Sequence, residues 1–314
     1  MGKVDGLVKA YLGDNQRFAD AFNYFVYGGE QIVHPEELVA ADTEGVAVPR
    51  SGIPVQRHRD SLRGWRVMRD GSATYALLGV EGQAKVDYAM PVRVLLYDAL
   101  AYASQVEKIA REHKRRDAAG LTSAEFLSGF AKEDRVAPVV TLVLFLGSGE
   151  WDGATRLQDL MTPTNGRLAA IEQDWRVNIL SPVAVPDEDM PKFRSDLGMV
   201  LAYIRDSGDV SKLGRMVEED ERWRRFDRVA ALLLNEVTRS KLAIGEGEGE
   251  VDMCEAIKEM RRLSREEGRE EGYAENMCDV IAVMRSQGYE ERAIQAIVAA
   301  VEAGRALPVD PSEN

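Results

Sequence analysis

The sequence predicts an α/β fold: a small mixed sheet crossed by a helix, followed by a region that is helical throughout. Three observations point there. Asp70-Gly71 separates two extended runs, residues 55–69 and 74–80, as a hairpin turn does. At Met90 the apolar period changes from that of a strand to that of a helix. The run "APVVTLVLFLG", residues 137–147, is the most apolar in the chain, and its β-branched content marks an interior strand.

The elements follow in order. Residues 14–27, "DNQRFADAFNYFVY", place apolar side chains at 18, 22, 25 and 26, with Asp14 as N-cap and Gly28-Gly29 as the stop. "HPEELVAADTE" reads as a short irregular or helical segment. The hairpin comes next. A helix then starts at Met90, with Pro91 in its first turn, and runs to the basic "HKRR" that ends at Arg116. "LTSAEFLSGFAKEDRV" is a helical or looped connection to the 137–147 strand, and "WRVNIL", 175–180, is a shorter strand. Helices are expected over 192–205, 208–220 and 221–242. "GEGEGE" at 245–250 reads as a flexible acidic break. A charged helix over 251–272 and a helical pair around Gly288, residues 276–303, complete the chain.

Charge and composition narrow the function. The 314 residues carry a net charge of −13, which argues against a general nucleic-acid binder. The charge is uneven, however. Residues 50–69 hold six arginines and one acid, Asp60, whereas residues 245–276 carry eleven acids against five basic residues. A locally basic face on an acidic chain still attracts phosphate over about 8–10 Å. No apolar run reaches membrane-spanning length, and the N-terminal residues lack an apolar signal core, so a cytoplasmic location is expected. Cys254 and Cys278 have no metal-type spacing and read as free thiols. There is no GxSxG, P-loop lysine or zinc-type His or Cys pair.

The run Ala76–Val80 ends in Glu81-Gly82-Gln83. On a strand, residues 81 and 83 share a face. Across the hairpin, Asp60 pairs toward the Glu81 end. Two carboxylates and a carboxamide suit a hard divalent cation, which lowers the pKa of a bound water and stabilises charge on phosphate. On spacing alone, Glu81 and Gln83 read equally as the start of a polar loop.

The wider pattern resembles the PD-(D/E)XK nuclease superfamily, and within it the Rpn family of recombination-promoting nucleases and transposases (YhgA-like). The matching positions are Asp60, then Glu81-Gly82-Gln83, then Met90, Arg93 and Tyr97 in "AMPVRVLLYDAL". The likeness covers roughly residues 10–165, including "RFADAFNYFVYGGEQIVHPEELVAADTE" upstream and "SAEFLSGFAKEDRVAPVVTLVLFLGSGEWDGATRLQDLM" downstream.

The resemblance implies a restriction-endonuclease-like core over 10–185, a helical extension over 186–244, a charged helical region over 251–304 and a disordered tail over 305–314. It also implies a metal-dependent DNA endonuclease that takes part in DNA recombination. Asp60, Glu81 and Gln83 would be catalytic. Asp60 and Glu81 would bind Mg²⁺, with Mn²⁺ as an alternative and Asp20 as a third acidic ligand. Gln83 takes the place of the superfamily's lysine, and Arg93 is the candidate to restore its lost charge. Arg57, Arg59 and Arg63 join Arg93 as candidate phosphate contacts. Pairing through the C-terminal helices is the expected assembly, a homodimer on DNA. The sequence departs from the family at Gly82, where Asn or His is frequent, and in the first helix, Asp20-Ala21-Phe22-Asn23, which lacks the family's lysine. Gly82 loosens the strand end in this reading. The competing expectation is a catalytically inactive DNA-binding or assembly protein that keeps the fold.

Overall fold

Local capping sets the first ordered turns. Asp14 accepts hydrogen bonds from the backbone N–H groups of Gln16 and Arg17, so α2 starts at Asn15 and runs to Tyr27. Gly28, at φ 62°, closes it in the left-handed conformation that glycine adopts without strain. Phe18, Ala19, Ala21 and Phe22 are its buried face. A preceding helix, α1 (Lys3–Tyr11), buries Val8 and Tyr11. The computed structural model describes residues 3–41, 44–47, 55–58, 61–69, 72–115, 120–163, 173–247 and 249–302.

The architecture is α/β, with a five-stranded mixed sheet flanked by helices. Its strands are β1 (Leu38–Ala40), β4 (Ser61–Arg69), β5 (Ser72–Gln83), β6 (Val139–Phe145) and β7 (Asn178–Leu180), in the spatial order β1-β4-β5-β6-β7. The first three run antiparallel to their neighbours, while β5, β6 and β7 are parallel. Arg69 pairs with Ser72, so two residues join β4 to β5, the expected hairpin. A separate hairpin pairs β2 (Glu44–Ala47) with β3 (Val55–His58). The expected 55–69 extended run is therefore two strands belonging to different sheets. "HPEELVAADTE" holds a 3₁₀ turn, Pro35–Glu37, and then β1 at the sheet edge.

Helix α3 (Met90–Arg115) makes the crossover from β5 to β6. Its inward face, Met90, Val94, Tyr97, Asp98 and Leu100, is buried. Met90 and Val94 pack on Val143 and Val177, with Trp151, Trp175 and Ile179 around them. Asp98 is buried too, and it accepts a 2.5 Å hydrogen bond from the Thr141 hydroxyl. Helix α4 (Ser123–Ser128) opens on a capping box between Thr122 and Glu125.

Beyond the sheet lie α5 (Leu197–Arg205), α6 (Val210–Glu219) and α7 (Arg228–Thr238). These do not form a separate body, because residues 1–254 make one compact unit. One reason is a charge network. Arg17 of α2 holds Asp196 with two 2.8 Å bonds, and Tyr11 of α1 donates to the same carboxylate at 3.0 Å. The acidic "GEGEGE" ends in β9 (Glu250–Val251), which pairs with β8 (Phe226–Asp227). Residues 255–314 form the second unit. The charged helix and the first half of the expected pair are one helix, α8 (Met253–Ser286). Gly288, at φ 84°, turns the chain into α9 (Glu291–Glu302). Among the described residues, no helix is long and apolar enough to cross a membrane.

Candidate functional site around Glu81

Strand β5 continues through residues 81–83 rather than giving way to a loop. Glu81, Gly82 and Gln83 lie in register with Val143, Leu144 and Phe145 of β6. Alternation along the strand then divides the three residues between the two faces of the sheet. Glu81 and Gln83 meet the first turns of α3. On the other face, a Cβ at residue 82 would lie 2.3 Å from Val8 Cγ1 of α1. Glycine at 82 is therefore what lets α1 close on the sheet. The expectation of a looser strand end gives way to a tightly packed one.

The Glu81 carboxylate is only 1% exposed. Its Oε1 accepts from Gln83 Nε2 at 3.1 Å and from the Tyr97 hydroxyl at 3.4 Å, and it forms an ion pair with Arg93 Nη2. Arg93 spreads over three partners. Its Nε donates to Tyr97 Oη at 3.0 Å, and its Nη1 lies 3.3 Å from Asp87 Oδ2. Burial opposes the Arg93 charge, but Glu81 more than offsets this and Tyr97 and Asp87 add to it. The guanidinium pKa is therefore raised above its ordinary value. The cluster sits at the carboxyl ends of the parallel strands β5 and β6, where open α/β sheets place ligands.

Asp87 was not singled out from the sequence. Its side chain accepts from Ala89 N at 2.9 Å and its carbonyl accepts from Met90 N at 3.0 Å, so it caps the start of α3. The available signal was an Asp just ahead of Met90-Pro91 at a helix start.

The other candidates are distributed as follows. Asp60 and Arg59 lie outside the described residues, and so does the side chain of Arg57 on β3. Ser61, the chain neighbour of Asp60, is directly opposite Val80, the chain neighbour of Glu81. Arg63 is turned to local partners, donating to Asn15 Oδ1 at 3.0 Å and to the Gly13 carbonyl at 3.1 Å. Desolvation lowers its pKa. Asp20 is buried in α2. It accepts from Gln16 Nε2, from the backbone N–H groups of Arg194 and Ser195, and from the Ser195 hydroxyl. Those four bonds fasten α2 to the segment before α5 and account for Asp20 without a cation.

A hard cation needs oxygen donors. The described residues offer the Glu81 carboxylate and, on the same strand face, the Gln83 carboxamide. That chemistry suits Mg²⁺. Among the described residues, no three His, Cys, Asp or Glu side chains form a group able to hold a metal ion, so such a site also requires Asp60. Comparison with protein-family models, with curated proteins and with solved structures gave no match.

Proposed function

We propose that the chain is a divalent-cation-dependent endonuclease that hydrolyses DNA phosphodiester bonds, built on a PD-(D/E)XK-like core of the Rpn type. One observation carries this reading. A buried carboxylate, Glu81, and a carboxamide, Gln83, share the face of β5 at its carboxyl end, and Arg93 and Tyr97 of the following helix converge on them. Those are the positions at which the sequence resembles the family.

In this reading Glu81 and Asp60 hold Mg²⁺, or Mn²⁺ in its place. The ion supplies charge that stabilises the negative phosphate. Gln83 orients the attacking water through its amide, which hydrogen-bonds without carrying charge. Arg93 is half-exposed and lies beside Glu81, so it provides the positive charge that a lysine at residue 83 would otherwise bring. Buried surroundings strengthen each of these interactions relative to water.

A plasmid-nicking assay tests the proposal. Wild-type protein converts supercoiled DNA to nicked circles only with Mg²⁺ or Mn²⁺ present. Asp60→Ala and Glu81→Gln each lower the rate by about a hundredfold or more, in line with loss of a metal ligand or catalytic group. Cleavage untouched by both substitutions rejects the assignment.

A second reading rests on the Arg93–Glu81 ion pair itself. A carboxylate already neutralised by a guanidinium is what a fold-retaining, inactive DNA-binding or assembly protein would keep.

A further inference from the structure

We infer that Arg93 is a competitor for the cation position on Glu81, a built-in counterion that must leave the carboxylate before a divalent ion can bind there. The inference rests on the nuclease reading only for the kind of ion.

The geometry has two halves. Glu81 is buried, and a buried carboxylate needs a compensating positive charge. Arg93 provides it through Nη2. A guanidinium and a divalent cation cannot share one carboxylate oxygen at contact distance, because like charges in a low-dielectric setting repel strongly. Binding of the ion therefore requires Arg93 to release Glu81.

The second half is the alternative anchor. Nη1 of Arg93 already lies 3.3 Å from Asp87 Oδ2, and Nε already donates to Tyr97 Oη at 3.0 Å. Asp87 is fixed by its own bond to Ala89 N, and Tyr97 is buried. Arg93 can give up Glu81 and still keep a carboxylate and a hydroxyl as partners. Its side chain is 39% exposed, which leaves room for the movement. Arg93 is thus a positioning residue that sets cation affinity, with Asp87 as the group that makes its release affordable.

The test is calorimetric titration of the full chain with MnCl₂ and MgCl₂, with folding checked by circular dichroism. Arg93→Gln removes the competing charge and tightens cation binding by about tenfold or more, an ordinary size for coupling between two species competing for one group. Arg93→Lys keeps the charge and stays close to wild type. Asp87→Asn weakens binding in the wild-type background and has little effect in the Arg93→Gln background, which separates release of Arg93 from a plain loss of negative charge. A merely structural Arg93 gives the opposite sign, with weaker binding in Arg93→Gln.

Equal or weaker binding by folded Arg93→Gln overturns the inference and leaves the cation site standing. Absence of binding in every variant, Arg93→Gln included, overturns the inference and the cation site together. Should Arg93→Gln not fold, Asp87→Asn decides: unchanged affinity overturns the inference, and weaker affinity supports it.

Discussion

Gly82 lies against Val8 so closely that a single added carbon would sit 2.3 Å from the valine Cγ1. Val8 is β-branched and on a helix, so its side chain has few rotamers in which to yield. Gly82→Ala is expected to destabilise the protein by about 1–3 kcal/mol through overpacking. Val8→Ala should recover most of that loss when the two are combined. Urea melts of the four proteins in the cycle give the coupling, and an additive result contradicts the contact.

Arg93 and Glu81 should also be coupled in stability. Arg93→Gln takes the guanidinium away from a buried carboxylate. With the arginine partly exposed, the cost is discounted to about 1–3 kcal/mol from the range for fully buried pairs. Adding Glu81→Gln to Arg93→Gln should cost less than the two single changes summed. A strictly additive cycle in thermal melts argues against an energetic pair.

For Asp20 the prediction separates two roles. Asp20→Ala leaves the N–H groups of Arg194 and Ser195 without their acceptor, a loss of about 1–3 kcal/mol. Cation affinity measured by calorimetry should stay at the wild-type value. A protein of unchanged stability that binds the cation more weakly would make Asp20 a ligand instead.

Glu125 sets an acid-side signature. Backbone N–H groups of Lys132 and Thr122, with the Thr122 hydroxyl, hold its carboxyl at about 2 against an ordinary 4.5. A depressed carboxyl pKa stabilises the fold above the ordinary value, and that contribution disappears as pH falls from about 4.5 to about 2. Carboxylate chemical shifts followed by NMR should show the low midpoint. Thr122→Ala should move it up toward the ordinary range, and an unmoved midpoint contradicts the capping box as its cause.

Local signals in the sequence were read well where one short stretch determines one element. Asp14 and Gly28 bound α2, Asp70-Gly71 joins β4 to β5, and Pro91 marks the start of α3. The misses are of another kind. Helix α1 contains Gly6 and few apolar residues, and it matters through Val8, whose partner is 74 positions away. Strands β1, β8 and β9 are two or three residues long and exist only as partners of other strands. Gly272 and the charged residues around it suggested a break, yet α8 runs through them. At the site, the shared face of Glu81 and Gln83 was legible from the strand period. The resemblance supplied Arg93. The burial of Asp20 under Ser195 was not legible, since it depends on packing between segments 175 residues apart.

Anomalous diffraction from crystals soaked in MnCl₂ tests the central claim most directly, because it asks which side chains hold the ion. The account predicts one Mn²⁺ peak bound by the carboxylates of Glu81 and Asp60, with Arg93 moved off Glu81 and kept by Asp87. No peak at Glu81, with Arg93 still paired to it at millimolar Mn²⁺, would contradict the account.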